Sequence, residues 1–165
     1  MDRLILFRHG KAESQSPTGG DFERRLAPRG VVEAQSTARR LSELGVAPSL
    51  ALVSPAARTR ETWSAAQGAW PPIETRLEPG LYDAEADDIL ALAEDAAPDA
   101  GAIIVVGHNP GLQELTVALL RKAGAPPEEV GLAMHRFPTS AAAVFRFDAE
   151  GRPSFERLVL PPRPA

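Results

Sequence analysis

Arg8 and His9 stand side by side where the apolar run "LILF" (residues 4–7) ends, and Gly10 and Lys11 follow them. A guanidinium and an imidazole on the lip of a core strand call for an anionic partner, because burying an unpaired charge is costly. Two other words of this kind lie far along the chain: "SPAARTRET" (54–62) carries Arg58, and "GHNPG" (107–111) carries His108. Two guanidinium groups repel unless a multiply charged anion holds both, and the planar fork of arginine matches phosphoryl oxygens. An imidazole beside a bound phosphoryl group has two uses, as nucleophile toward phosphorus or as donor to the oxygens while charge develops. The residue types leave open which histidine does which.

Each word follows a continuous apolar run, "LILF" (4–7), "LALV" (50–53) and "AIIVV" (102–106). Unbroken rather than alternating hydrophobicity predicts central strands buried on both faces. Between and after them lie helical patterns at 29–44, 55–69, 83 or 84 to 97, and 110–123. In the first, Val32, Ala38, Leu41 and Leu44 recur at helical spacing and Gly45 stops it. Ser54 is the expected cap and Pro55 the first residue of the second. Leu90 and Leu92 are the expected inner face of the third, closed by Pro98; Pro110 opens the fourth and Gly124 follows it. "SAAAVFRFD" and "SFERLVL" read as two strands around the turn Ala149-Glu150-Gly151. The fold expected is therefore α/β: a single-domain three-layer sandwich over 1–160, with a mostly parallel central sheet, helices on both faces and an antiparallel edge hairpin, then an extended tail at 161–165. In such open sheets ligands sit at the carboxyl ends of the strands, where the three words can face one another.

"LFRHGKAE", "LVSPAARTRET" and "VVGHNPGL", in that order and on those elements, resemble the histidine phosphatase superfamily, also called phosphoglycerate mutase-like, and most of all its small SixA-like phosphohistidine phosphatase branch. The likeness runs from residue 3 to about 147 and includes "DFERRLAPRG" and "FPTSAAAVF". It implies that His9 is the nucleophile that becomes phosphorylated, with Arg8, Arg58 and His108 binding the phosphoryl group. Larger relatives add a glutamate general acid, for which Glu78 in "RLEPG" is the nearest match, with Asp83 and Glu85 as rivals. A phosphohistidine substrate relaxes that need, since an imidazole leaves more readily than an alkoxide. The short stretch 79–101 leaves little chain to build a lid, which suits a phosphorylated protein surface or small phosphoesters. Ala27 replaces the family's usual threonine before "PRG", losing a helix cap worth about 1 kcal/mol.

The remaining polar and aromatic residues carry plainer readings. Lys11 either extends the basic cluster or sits exposed in a turn, Asn109 braces the turn before Pro110, and His135 is structural or exposed. Trp63 and Trp70 belong to core packing, Thr139 and Ser140 to a turn, and Arg24 and Arg60 to solvated faces.

The 165 residues are 44% hydrophobic and 24% charged with net charge −4, so no global positive field draws the chain to nucleic acid or to an anionic membrane. The chain has no cysteine. With no apparent leader and no stretch near the roughly 20 apolar residues of a membrane span, a cytoplasmic location is expected. No cofactor and no metal are expected: there is no HxxxH pair, and two arginines repel a cation. The function expected is a metal-independent phosphatase. Its partner is a phosphorylated protein, such as a histidine-containing phosphotransfer domain, or a small phosphoester. The alternatives are a small-molecule phosphoesterase or phosphomutase of the same superfamily, and a phosphoprotein-binding module without turnover.

Overall fold

The computed structural model describes residues 1–162. In chain order the elements are β1 (Arg3–Arg8), α1 (Pro28–Glu43), β2 (Leu50–Val53), α2 (Ala57–Ala66), β3 (Glu74–Leu77), α3 (Ala86–Ala96), β4 (Ala102–Gly107), α4 (Gly111–Lys122), α5 (Pro127–His135), β5 (Ala142–Phe147) and β6 (Pro153–Val159). One sheet runs β3-β2-β4-β1-β5-β6. The pairs β3/β2, β2/β4 and β4/β1 are parallel, while β1/β5 and β5/β6 are antiparallel. This is the expected single-domain α/β sandwich with its edge hairpin. The expected tail falls, from residue 163 on, outside the described residues.

The apolar runs are unbroken because alternate residues of one strand fill opposite faces. Leu4, Leu6, Leu52, Ile103 and Val105 pack with Ile89 of α3 and Leu112 and Leu115 of α4. Ile5, Phe7, Val53, Ile104 and Val106 pack with Ala38 and Leu41 of α1 and Trp63 of α2. Trp63 and Trp70 stack at 6.1 Å in this second core, each N–H satisfied, by Thr75 Oγ1 and by the Val46 carbonyl.

Several local expectations are corrected. The inner face of α1 is Gly30, Ala34, Thr37, Ala38 and Leu41, and Val32 is 64% exposed on the far side. In α3 the buried stripe is Ile89, Ala93 and Ala96, with Leu90 and Leu92 half-buried beside it. Helix α2 starts at Ala57 and not at Pro55, and no side chain caps it, because the Ser54 hydroxyl is hydrogen-bonded elsewhere. Two elements carry no sequence signal: β3, "ETRL", an edge strand with no buried residue, and α5, where only Ala133 is buried. No helix among the described residues is long and apolar enough to cross a membrane.

Candidate active site

Strand register brings the histidines together. Strands β1 and β4 are parallel neighbours with Arg8 opposite Gly107, so the residues that follow, His9 and His108, emerge side by side; their ring centroids are 5.4 Å apart. On the other side of β4, Val53 of β2 is opposite Val106, which puts Ser54 within reach of His108. Its Oγ lies 2.7 Å from His108 Nε2. The first turn of α2 then carries Arg58 in from the same edge, 7% exposed. Arg8, His9, Arg58 and His108 thus meet at the carboxyl ends of three parallel or near-neighbour elements, as expected for this sheet type.

His9 is held by its own loop. Its Nδ1 is 2.7 Å from the Gly10 carbonyl, and a carbonyl only accepts, so the proton sits on Nδ1 and Nε2 keeps its lone pair. The His9 amide donates to the Gly107 carbonyl, and the Ser140 amide donates to the His9 carbonyl. The Gly10 amide donates to Thr62 Oγ1, which itself donates to the Arg58 carbonyl, tying the His9 loop to α2. At Gly10 the missing side chain serves close approach. A Cβ there would stand 2.7 Å from the Gly30 carbonyl, and one on Gly30 would stand 2.3 Å from the Lys11 carbonyl. The loop therefore rests directly on the first turn of α1.

Burial dominates the electrostatics. It pushes His9 down to about 3, with the Gly10 hydrogen bond opposing and the charges of His108, Arg8 and Arg58 adding to the fall. His108 is lowered to about 4, first by burial, then by Arg58 and Arg8, with Asp21 opposing. Both imidazoles are neutral at pH 7. Arg8 is lowered by burial and by Arg58. Its Nη1 donates to the Phe137 carbonyl at 3.0 Å, shared with Asn109 Nδ2 at 2.9 Å, so Asn109 ties its turn to the loop after α5. The Nε atoms of Arg8 and Arg58 and His108 Nδ1 are buried with no partner among the described residues.

One carboxylate enters this cluster, and the sequence did not single it out. Asp21, in the exposed turn before α1, accepts from Arg58 Nη2 at 3.0 Å, from Arg24 Nη1 at 3.0 Å and from the Tyr82 hydroxyl at 2.7 Å. The Asp21 backbone carbonyl takes Arg58 Nη1 at 2.9 Å. The Tyr82 hydrogen bond, ahead of those from Arg24 and Arg58, holds Asp21 well below the usual carboxylate range. Tyr82 packs edge-on against His108 at 5.6 Å and against Phe22 at 5.0 Å. Asp21 occupies the arginine fork that a phosphoryl group would need. The one sequence signal was its place in "DFERRLAPRG"; nothing in spacing tied it to Arg58 or Tyr82.

None of the other candidates is hydrogen-bonded to the guanidinium of Arg8 or Arg58 among the described residues. Glu78 caps its own short turn, accepting from the Gly80 amide at 3.2 Å. Asp83, with φ 58°, and Glu85 are exposed on the approach to His108. Lys11 is exposed, as is His135 at the end of α5, while Ser140, at φ 64°, is buried in the turn beside His9. Arg24 is engaged with Asp21, and Arg60 is exposed and donates to the Pro55 carbonyl.

Residues 4–100 match the model of the histidine phosphatase superfamily, branch 1. An uncharacterized protein of Mycobacterium tuberculosis is 32% identical over 84% of this chain and 85% of its own. Among solved structures, an assigned phosphohistidine phosphatase, SixA, of Agrobacterium tumefaciens superposes with TM-score 0.82 at 30% identity, over 97% of this chain and 98% of that one. The protein histidine phosphatase SixA solved with tungstate shares the fold at TM-score 0.75 and 22% identity, over 94% and 95% of the two chains.

Proposed function

The chain belongs to the histidine phosphatase superfamily, branch 1, and we propose that it is a phosphatase that removes phosphoryl groups from phosphohistidine on cytoplasmic signalling proteins, through a phosphohistidine intermediate on His9. The observation that carries this reading is the tautomer of His9. A buried imidazole whose Nδ1 proton is committed to the Gly10 carbonyl presents a basic Nε2 next to two arginines, and stays unprotonated far below neutral pH.

The phosphoryl group takes the Arg58 fork from Asp21 and is shared with Arg8. His9 Nε2 attacks phosphorus; the bond from phosphorus to the substrate nitrogen breaks, and its electron pair leaves with the substrate imidazole. His108 donates from Nδ1 to an equatorial oxygen, the tautomer selected when the Ser54 hydroxyl donates to Nε2. Water then attacks phospho-His9, inorganic phosphate departs, and the neutral His9 is restored. No step calls for a metal, and among the described residues no three histidine or carboxylate side chains gather as a metal site. An imidazole leaving group also suits a site in which the carboxylate at the arginines is ionised and Glu78 is tied to its own turn.

The test is phosphate release, with a chelator present, from a phosphotransfer domain carrying phosphohistidine and from a phosphoserine protein. Release from the first in preference to the second supports the reading. Release only from small phosphomonoesters favours the phosphoesterase alternative, and tight binding without release favours the binding module.

A further inference from the structure

We propose that the acidic groove beside His108 binds a basic stretch of polypeptide flanking the phosphorylated residue, so that the protein selects phosphoproteins whose phosphorylation site is set among lysines or arginines. This rests on the phosphatase reading and adds its substrate class.

The groove, about 520 Å³, runs between the loop before α3 and the start of α4, and Asp83, Glu85, Asp87 and Glu114 line it with no lysine or arginine among them. All four are exposed, and none is in an ion pair among the described residues. Elsewhere at the site, Asp21 is neutralised by Arg58 and Arg24. The groove touches the cationic cluster at His108. His108 lines it, is only 9% exposed, and has an Nδ1 without a partner. Close packing fixes the groove's shape, since a Cβ on Gly111 at the head of α4 would stand 2.3 Å from the Ala84 carbonyl.

The charges therefore divide sharply. A dianion is matched where Arg8 and Arg58 converge, and a cation is matched along the approach. A ligand satisfying both carries a phosphoryl group with positive charge beside it. Polypeptide, rather than a small amine phosphate, fits the reach of the surface. Past Pro110 and Glu114, which line both, lies a second hollow of about 380 Å³ with Val117, Met134 and Arg121 in its lining, so the two together extend further than a small amine phosphate spans.

The test uses phosphohistidine peptides of one sequence flanked on both sides by lysine or by glutamate, together with non-hydrolysable triazolyl-phosphonate versions for affinity. The lysine-flanked peptides should be favoured roughly tenfold in both kcat/KM and affinity at low salt, the scale of two or three exposed ion pairs, and the margin should shrink at high salt. Asp87→Lys/Glu114→Lys leaves Asp83 and Glu85 against two lysines, so the ratio should fall to about one. Read as a ratio of two peptides, this is immune to a general loss of activity. A ratio near one in the unaltered protein overturns the proposal, as does a ratio unmoved by the double substitution, or phosphoethanolamine outcompeting the lysine peptide. Affinity discrimination without hydrolysis would remove the phosphatase reading and leave the groove standing; hydrolysis without discrimination would do the reverse.

Discussion

Strand β1 begins and ends on an arginine, and the two ends have been given opposite treatment. At the amino end Arg3 Nη2 meets Glu156 Oε1, 2.6 Å away, and Arg146 supports the same carboxylate from 3.1 Å. Burial alone would raise Glu156, yet hydrogen bonds from Arg3 and Arg146 bring it below its ordinary value. That end has its carboxylate in place, although Arg3 Nε and Glu156 Oε2 are buried without a partner among the described residues. At the carboxyl end Arg8 has a carbonyl, Phe137 O, and its neighbours are two imidazoles and a second guanidinium. The carboxylate nearby, Asp21, is spent on Arg58, Arg24 and Tyr82 and is itself half-exposed. One strand thus shows the difference between an arginine that holds a fold together and one left short of negative charge for a ligand to supply.

The comparison breaks most completely if the nucleophile is wrong. His9→Ala is expected to lower turnover by at least about 10⁴-fold while inorganic phosphate still binds, measured by phosphate release and by calorimetry. Wild-type turnover would remove His9 from that role. Next come the arginines, tested crosswise. Arg8→Ala should cost about 10²–10³-fold in kcat/KM with little change in thermal stability. Arg3→Ala should keep activity and lose about 1–3 kcal/mol of stability in denaturant titration. The same loss from both would erase the distinction.

The pH dependence of stability sharpens it further. His9, lowered to about 3, and His108, lowered to about 4, stay neutral in the folded state where the unfolded chain takes up protons near 6.5. Stability from these groups is therefore complete above about pH 6.5 and is lost as pH falls toward their folded values, by about 2 kcal/mol per imidazole between pH 7 and 5. Glu156, also lowered, gives up its contribution as pH falls from its ordinary value of 4.5 toward its folded one, so the amino end is nearly silent between pH 7 and 5. His9→Gln should halve the loss; an unchanged slope would contradict the burial argument.

Smaller effects follow. Ser54→Ala should lower kcat about tenfold through loss of one hydrogen bond to His108, with KM little changed. Asp21→Asn should tighten binding of inorganic phosphate about threefold by weakening the competitor for Arg58, with affinity read by calorimetry.

The sequence made the cationic cluster legible because each member follows a run of buried, unbroken hydrophobicity, and strand register does the rest: Arg8 opposite Gly107 leaves the two histidines no choice but adjacency. It was poorer where little is buried. Strand β3 has no buried residue and α5 only Ala133, so neither imposed a period on its sequence. Asp21 and Tyr82 come from exposed turns 61 residues apart, and nothing local marks their meeting. Ser54 was misread as a cap because a serine before a proline and a helix satisfies the local rule, whereas its real partner is 54 residues on.

The direct trial of the central claim is to mix the protein with a phosphodonor labelled at phosphorus, quench within a turnover, and ask what chemistry holds the label on the chain. A label that survives alkali, is lost in acid, maps to His9 and is missing from His9→Ala is the predicted result. Label that survives acid, maps to a hydroxyl side chain, or persists in His9→Ala would contradict it.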